Sequence, residues 1–296
     1  MSENDALDAF KARFSNVLCS PIQRTLGLEI EGFDLSSPID DSAAELLRQL
    51  WLDWRVLVFR DQPIDHAAMM RTAEVFGEPI GYPFSKYVVE GFPKIVSILS
   101  DQQTADAWHC DLSYDVHPAA GAVLRAISIP PVGGDTVFAD GYAAYDSLSD
   151  EMKARLENLR AIHDFAGVYS HQRSDKGDPE ADQRVAQAMK KRNSIPLVAH
   201  PIALTHPDTG RKTLFLNEAF CTQVIDMELG EGQALLAELW LQFLKPEHQM
   251  RVRWKPNSLV VWENLSTVHY AAYDYGDFRR HMERVTFRAK PLYVMA

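Results

Sequence analysis

This chain has few cysteines, no long apolar run and no excess of basic residues. Its three cysteines are widely spaced and include no Cys-x-x-Cys pair, so neither a disulfide framework nor a zinc ribbon is expected. No apolar run reaches the roughly 18–20 residues that cross a bilayer, and the N-terminus lacks the apolar core of a signal peptide. We therefore expect a cytoplasmic protein without a membrane partner.

Acidic residues outnumber basic ones and give a formal net charge of −11. Binding to nucleic acid normally needs a basic face that neutralises phosphates, so no nucleic-acid partner is expected. Hydrophobic residues make up 46% of the chain and charged residues 24%. These proportions are typical of a globular protein with a substantial core.

The hydrophobic pattern predicts a mainly β protein with flanking helices. Helical spacing at residues 40–54 and 64–76 surrounds a buried strand at 55–59. From residue 108 onwards, short β-like runs alternate with Gly/Pro turns and predict an antiparallel sandwich or barrel. Further strands are expected at 94–99, 121–129, 135–139, 197–205, 213–216, 250–254, 258–262 and 283–287, and further helices at 142–159, 179–191 and 230–244.

The chain contains no internal repeat and no composition shift that would mark a linker. We therefore expect a single domain over residues 1–296, which begins with a helical extension at 1–20. The polar stretch that starts at Ser170 is rich in turn-forming residues. A mobile loop followed by a helix is expected over 170–195.

Two possible metal ligands stand at alternate positions in Trp108-His109-Cys110-Asp111. Residues i and i+2 of a β-strand point to the same face, so His109 and Asp111 can reach one ion while Cys110 points away. A histidine nitrogen and a carboxylate oxygen suit Fe(II), Mn(II) or Zn(II), and two histidines with one carboxylate form the ligand set of Fe(II) oxygenases. His-x-Asp alone is a weak pattern and needs a histidine from another strand.

His269 is the best candidate for that third ligand. It follows the predicted strand 258–262 and a turn, where a side chain would project from a strand end. A hydrogen-bonded histidine beside the neighbouring tyrosines explains this residue equally well. Three other histidines, two of which precede proline, are expected to be structural: His163, His200 and His206.

Two arginines, Arg280 and Arg284, lie four residues apart where the chain passes from turn to strand. A planar guanidinium binds a carboxylate through two parallel hydrogen bonds, so either arginine could anchor a dicarboxylate. Each could instead be an exposed strand residue or pair with Asp277 or Glu283. The residues alone leave this choice open.

Several ordered motifs make the chain recognisable. They are RVLVFRDQ (55–62), FGEPIGYP (76–83), WHCDLSY (108–114), PPVGGDTVFADGYAAYDSL (130–148), LFLNEAFCTQVID (214–226) and VVWENLSTVHYAAYDYGDFRRHMERVTF (260–287). With these motifs the chain resembles the taurine dioxygenase family from about residue 20 to its C-terminus. The resemblance implies a double-stranded β-helix, or jelly roll, and an assembly of two or four copies.

The resemblance also implies the cofactors and their ligands. Fe(II) would be held by His109, Asp111 and His269, and the distal carboxylate of 2-oxoglutarate by Thr136 and Arg280. Such enzymes use O₂ to hydroxylate a small organic substrate and release succinate and CO₂. Hydroxylation at a carbon that carries sulfonate, sulfate or an ether oxygen would be followed by cleavage of a C–S or C–O bond.

The substrate wall is expected to differ from that of taurine dioxygenase itself. Residues of other types stand at the positions that bind taurine, so taurine is not the expected substrate. Arg284 falls where relatives contact the substrate anion or the near carboxylate of 2-oxoglutarate, which favours an anionic substrate. Tyr82, Tyr169 and Phe220 would add aromatic surface. Asn217 would line the same pocket, although a structural turn explains it nearly as well.

Two other classes of protein fit part of the pattern. A metal-dependent hydrolase could use the same His/Asp/His ligands to activate water, but it would leave Thr136 and Arg280 unexplained. A non-catalytic binding module would be expected to have a degraded ligand set, whereas all three ligands are present. The sequence therefore favours an oxygenase that acts on a small anionic molecule.

Overall fold

The computed structural model describes residues 5–81, 87–100, 107–167, 190, 195–293 and 295. The helices are α1 Asp5–Arg13, α2 Asp41–Trp54, α3 His66–Phe76, α4 Gly141–Asp146, α5 Asp150–Leu156 and α6 Leu229–Phe243, with a 3-10 turn at Pro246–His248. The strands are β1 Leu18–Pro21, β2 Leu28–Glu31, β3 Val56–Phe59, β4 Glu78–Ile80, β5 Val88–Val89, β6 Phe92–Leu99, β7 Gly121–Ser128, β8 Thr136–Asp140, β9 Arg160–His163, β10 Val198–Pro201, β11 Ala203–Thr205, β12 Lys212–Leu214, β13 Cys221–Val224, β14 Gln249–Val252, β15 Leu259–Glu263, β16 Thr267–Ala271 and β17 His281–Arg288. None of the described helices has both the length and the apolar character that crossing a membrane requires.

The largest sheet has the strand order β1-β2-β3-β15-β7-β17-β6-β5, with β4 also paired to β17. Its pairs are antiparallel except for β2 with β3. A second sheet has the order β14-β8-β16, and the smaller sheets are β10-β9-β13 and β11-β12. The mainly β class with flanking helices is therefore confirmed.

Side chains of the largest sheet alternate between two apolar clusters. In β3, Leu57 and Phe59 belong to the cluster formed with helices α1, α2 and α3. Val56 and Val58 belong to a different cluster, which includes Phe138 from the second sheet. Since alternate residues of a strand point to opposite faces, the helices cover one face of this sheet and the β14-β8-β16 sheet covers the other.

The side chains of β17 also alternate between the two faces of the sheet. This alternation determines which face carries each charged residue of the strand. Met282 lies in the cluster between the two sheets, whereas Val285 packs on the helix side. Arg284 shares the face of Met282 and so lies between the sheets. Glu283 lies on the opposite face, where the His66 side chain of α3 binds it at 3.0 Å.

Several predicted boundaries are confirmed by the caps of the helices. The side chain of Asp40 accepts a hydrogen bond from the backbone N–H of Ala43 and so begins α2, and Gly77 follows the last residue of α3. The single helix predicted at 142–159 is wrong, because Ser149 caps the start of a second short helix. The predicted extension at 1–20 is helical only in α1, since β1 follows in the largest sheet.

The strand predicted at 197–205 is divided into β10 and β11, and seven strands were not predicted: β1, β2, β4, β5, β9, β13 and β16. These seven strands are two to five residues long. Runs this short carry little periodic signal of their own. The loop and helix expected over 170–195 lie outside the described residues, apart from residues 190 and 195.

Candidate metal centre

His109, Asp111 and His269 meet although they come from separate parts of the sequence. Each side chain offers one ligand atom, and these atoms all lie within 4.8 Å of one another. All three residues are buried. In the part of the chain that the structure describes, no other group of three or more histidine, cysteine or acidic side chains has this arrangement.

The ladder between β16 and β8 sets the direction of His269. His269 lies opposite Phe138 in this ladder, and its ring centroid is 5.8 Å from that of Phe138 and 4.9 Å from that of Trp262. The expectation that His269 projects from a strand end is wrong, because it is the middle residue of β16. The His269 ring is therefore oriented by its strand and by packing against Phe138 and Trp262.

His109 is joined to His269 by a single antiparallel bridge. The N–H of His109 donates to the carbonyl oxygen of His269 at 3.0 Å, and the reverse bond measures 2.8 Å. The continuous strand predicted for these ligands is wrong, because a turn begins at Asp111 and Leu112 has a φ of 55°. Asp111 therefore reaches the site through a turn and not through strand alternation.

Burial favours the neutral form of both histidines, which is the form that binds metals. Nδ1 of His109 donates to the carbonyl oxygen of Ala107 at 2.9 Å, which leaves the lone pair on Nε2. Burial lowers the pKa of His109. Burial, together with neighbouring His109 and Arg284, lowers the pKa of His269 well below its usual range. A neutral imidazole needs to lose no proton before it binds a cation.

The two oxygens of Asp111 have different surroundings. Oδ1 accepts a hydrogen bond from Nη1 of Arg284 at 2.8 Å and lies 3.9 Å from Nε2 of His109. Oδ2 is buried and has no hydrogen-bond partner within the described structure, and the same is true of Nδ1 of His269. Buried polar atoms normally have partners, so the unpaired atoms of this centre fit a site that a cation completes.

A second polar pair, Thr136 and Arg280, is also buried. Oγ1 of Thr136 accepts a hydrogen bond from Nε1 of Trp254 at 3.1 Å, which leaves the hydroxyl hydrogen able to donate to another group. Nε of Arg280 donates to the carbonyl oxygen of Gly134 at 3.0 Å. Gly134 has a φ of +71°, and a Cβ there would lie 2.8 Å from Cγ of Pro130, so this approach requires glycine.

Arg280 is a buried cation that forms no ion pair with a carboxylate of the described residues. Among the described residues, no carboxylate oxygen lies within 4.0 Å of its guanidinium. Burial lowers the pKa of Arg280, because removing the charged form from water is unfavourable. A buried charge is normally paired, so the side chain fits a site that an anionic ligand completes.

Asn217 lies beside the metal ligands, but its contacts are with protein atoms. Its Nδ2 donates to Sγ of Cys110 at 3.2 Å and to Oγ of Ser113 at 3.0 Å. Its Oδ1 accepts a hydrogen bond from the N–H of Phe220 at 2.9 Å. These bonds tie the segment that contains Phe220 to the segment that contains Asp111, and a role of Asn217 toward substrate stays a prediction.

The aromatic residues predicted for the substrate wall are only partly described. Phe220 is buried and packs against Tyr114, with ring centroids 4.9 Å apart. Tyr82 and Tyr169 lie outside the described residues. Their contribution to the substrate wall stays a prediction.

Two residues that organise the site were not predicted from the sequence. Trp254 binds Thr136, as described above, and Oδ1 of Asn264 accepts hydrogen bonds from the N–H of Asp111 at 3.3 Å and from Nε1 of Trp262 at 3.0 Å. Asn264 stands in the same motif as His269. Asparagine after a strand is a common turn residue, so no sequence pattern distinguishes Asn264 from an ordinary turn residue.

The chain matches the model of the taurine catabolism dioxygenase TauD, TfdA family over residues 19–286. It is 31% identical over 264 residues to an alkylsulfatase from Acinetobacter baylyi, which covers 88% of this chain and 81% of that protein. It is 30% identical over 269 residues to an alpha-ketoglutarate-dependent sulfate ester dioxygenase from Pseudomonas putida, with coverages of 90% and 87%. The crystal structure of a taurine dioxygenase from Burkholderia xenovorans aligns with a TM-score of 0.77 at 29% identity and covers 92% of this chain and 89% of that one.

Proposed function

Because the chain belongs to the taurine catabolism dioxygenase TauD, TfdA family, we propose that it hydroxylates a small organic anion, with a sulfate ester as the first candidate substrate. The protein is a 2-oxoglutarate-dependent non-haem iron dioxygenase and uses Fe(II) and 2-oxoglutarate. Its strands are proposed to form a jelly roll. The packing of the β14-β8-β16 sheet on the largest sheet supports that arrangement.

We assign the Fe(II) site to His109, Asp111 and His269. The observation that carries this assignment is the convergence of their ligand atoms within 4.8 Å in a buried position. These two nitrogen ligands and one carboxylate would hold Fe(II), which would supply the oxidising chemistry when it is bound with 2-oxoglutarate. The unpaired Oδ2 of Asp111 and Nδ1 of His269 support the same assignment.

Thr136 and Arg280 are assigned to the distal carboxylate of 2-oxoglutarate. Trp254 is the donor in its hydrogen bond with Thr136. The hydroxyl hydrogen of Thr136 is therefore available to donate to another group. The guanidinium of Arg280 has no carboxylate partner among the described residues and can form two parallel hydrogen bonds with a carboxylate. The Thr136 hydroxyl and the Arg280 guanidinium would together bind one carboxylate of 2-oxoglutarate.

Bound Fe(II) and 2-oxoglutarate supply the oxidising chemistry, in which O₂ is consumed, 2-oxoglutarate becomes succinate and CO₂, and one oxygen atom enters a C–H bond of the substrate. The protein binds and orients the reactants and excludes water. Phe138 and Trp262 enclose the ring of His269 in apolar surroundings. Arg284 places a positive charge beside the metal ligands, which favours an anionic group on the substrate.

A sulfate ester suits this arrangement chemically. Hydroxylation of the carbon that carries the ester oxygen produces an unstable intermediate, whose C–O bond breaks to release an aldehyde and hydrogen sulfate. One primary alkyl sulfate, one 2-oxoglutarate and one O₂ thus give one aldehyde, one hydrogen sulfate, one succinate and one CO₂. The names of two relatives, an alkylsulfatase and a sulfate ester dioxygenase, support this class.

The deciding experiment separates oxidation from hydrolysis of the same ester. Purified protein would be incubated with Fe(II), 2-oxoglutarate and a medium-chain primary alkyl sulfate, and succinate, aldehyde, alcohol and sulfate would be quantified. We expect Fe(II)-dependent release of succinate and aldehyde in equal amounts. A hydrolase would release the alcohol and leave 2-oxoglutarate unconsumed, and that result would overturn the proposal.

A panel of sulfonates, sulfate esters, aryloxy acids and amino acids then tests the substrate class. The sulfate esters are expected to stimulate succinate release most strongly. If aryloxy acids or sulfonates are preferred, the sulfate ester assignment is wrong while the reaction class stands. His269→Ala is the inactive control.

A further inference from the structure

The turn that joins β15 to β16 is held rigidly by buried hydrogen bonds. The Glu263 carboxylate accepts from the N–H groups of Leu265 and Ser266, both at 2.7 Å, and from the Ser266 hydroxyl at 2.5 Å. Nε2 of His206 lies 3.3 Å from Oε1 of Glu263, and both side chains are fully buried. The turn is therefore a fixed support between the largest sheet and the strand that carries His269.

Asn264 is the first residue of this turn. Its own N–H donates to the carbonyl oxygen of Ala120 at 2.9 Å. Its Oδ1 accepts from the N–H of Asp111 and from Nε1 of Trp262. Since both of these partners are N–H donors, the oxygen of the Asn264 side chain must face them, and the amide orientation is fixed.

The two groups that donate to Oδ1 of Asn264 act on different candidate metal ligands. One is the N–H of Asp111 itself, and the other belongs to Trp262, which packs against His269. Asp111 stands at the start of a turn, so its N–H is held by the Asn264 side chain in place of a strand ladder. The ring of Trp262 packs on the ring of His269 with centroids 4.9 Å apart, and the bond from Nε1 fixes that ring. One oxygen atom thus sets the backbone of one ligand and the packing surface of another.

We propose that Asn264 is a positioning residue of the metal centre, which sets the separation of Asp111 and His269 without binding the ion itself. This inference rests on the proposed assignment of the Fe(II) ligands. Removal of a residue that contacts and orients a metal ligand typically lowers metal affinity by about 10–100-fold. We expect a loss of that size for Asn264→Ala.

The test measures binding of Mn(II) to the metal-free protein by titration calorimetry, together with the electron paramagnetic resonance spectrum of the bound ion. Asn264→Ala should bind Mn(II) about 10–100-fold more weakly and give a changed spectrum. Asn264→Asp keeps an acceptor oxygen of the same reach and should restore affinity to within about threefold of the wild type. A folded Asn264→Ala variant with wild-type affinity and spectrum would refute the positioning role.

Gln62→Ala is the matched control for a general loss of stability. Gln62 is also a buried amide, and it binds the main chain through Leu35, Phe33 and Arg60 on another part of the protein. Its replacement should lower the melting temperature and leave Mn(II) affinity unchanged. If Gln62→Ala weakens Mn(II) binding as much as Asn264→Ala does, the effect is one of stability and the proposal fails.

Two further variants keep the outcomes distinguishable. Asp111→Ala tests the metal site itself, and wild-type Mn(II) affinity in that variant would refute the site and not only the role of Asn264. If Asn264→Ala does not fold, Asn264→Asp is compared with Asn264→Leu, which has the same size but no acceptor. Equal Mn(II) affinity of these two folded variants would show that the acceptor is irrelevant and would overturn the proposal.

Discussion

Arg284 donates a hydrogen bond to Oδ1 of Asp111 at 2.8 Å, so the arginine beside the centre is bonded to one of its ligands. The side chains are 13% and 3% exposed. In such a buried pair, removing one partner leaves the other charge uncompensated. Arg284 therefore has two roles in our proposal. It orients the carboxylate of Asp111, and its positive charge attracts the substrate anion.

Arg284→Ala is expected to raise the KM for an anionic substrate by about 10–100-fold, since a charged hydrogen bond contributes about 1.5–3 kcal/mol. Mn(II) affinity should fall less, because the ligands themselves remain. The two constants would be measured by succinate release and by calorimetry. Arg288→Ala is the matched control, since Arg288 lies on the same strand and pairs with Asp115 at 2.7 Å. Unchanged affinity for substrate and for 2-oxoglutarate would remove the case for an anionic substrate.

Arg280→Ala is expected to raise the KM for 2-oxoglutarate by about 100-fold or more, because two parallel charged hydrogen bonds to the diacid are lost. The KM for the prime substrate should change little. The neighbouring Arg279 is exposed, and Arg279→Ala serves as the control of equal charge. If Arg280→Ala binds 2-oxoglutarate normally, the distal carboxylate lies elsewhere.

Asp111→Ala should abolish iron-dependent succinate release and reduce Mn(II) affinity by more than about 100-fold, since the single anionic ligand is lost. The loss of charge would also leave Arg284 without its carboxylate partner. Asp115→Ala changes an acid in the same segment that pairs with Arg288 and should keep metal binding. Metal affinity retained in Asp111→Ala, or lost equally in both variants, would contradict the assignment.

The buried histidines predict how the stability of the metal-free protein depends on pH. Burial lowers the pKa of His109, His163 and His269 in the folded state, whereas the unfolded chain takes up these protons near pH 6.5. As pH falls below about 6.5, the unfolded state binds more protons than the folded state. The free energy of unfolding should therefore decrease, by up to about 1.4 kcal/mol per pH unit for each histidine.

Urea unfolding of the metal-free protein at pH 7.5, 6.5 and 5.5 measures this dependence. His163→Phe removes a buried histidine that stacks on Phe215, with ring centroids 5.3 Å apart, and it lies outside the metal-ligand cluster. The variant should lose less stability than the wild type between pH 6.5 and 5.5. Equal losses would show that His163 titrates alike in the folded and unfolded chains.

The three candidate metal ligands could be chosen from the sequence because their residue types and motifs were visible along the chain, and the structure brings their side chains together. The direction of Arg284 could not be predicted, since alternation along the strand expected at 283–287 separates Arg284 from Glu283 but does not say which face meets the candidate metal centre. The position of Asp111 in a turn could not be predicted. A His-x-Asp pattern is equally compatible with a continuous strand and with the observed single bridge at His109 followed by a turn.

The partners that hold the site residues were harder to predict than the residues themselves. Trp254 reaches Thr136 only because β14 pairs with β8, and that pairing joins distant parts of the sequence. Asn264 reaches Asp111 in the same way, across two segments whose contact depends on the whole fold. Local patterns specify which side chains can do chemistry, while long-range packing decides which neighbours orient them.

The alternation of side chains along β17 limits which sequence changes this strand can accommodate. Insertion or deletion of one residue between Arg280 and Arg284 would rotate the rest of the strand by half a repeat. The carboxylate of Glu283 or the side chain of Val285 would then enter the space beside Asp111, and the guanidinium would turn toward helix α3. Substrate preference can therefore diverge through substitutions in this strand, whereas changes in length must occur in the loops outside it.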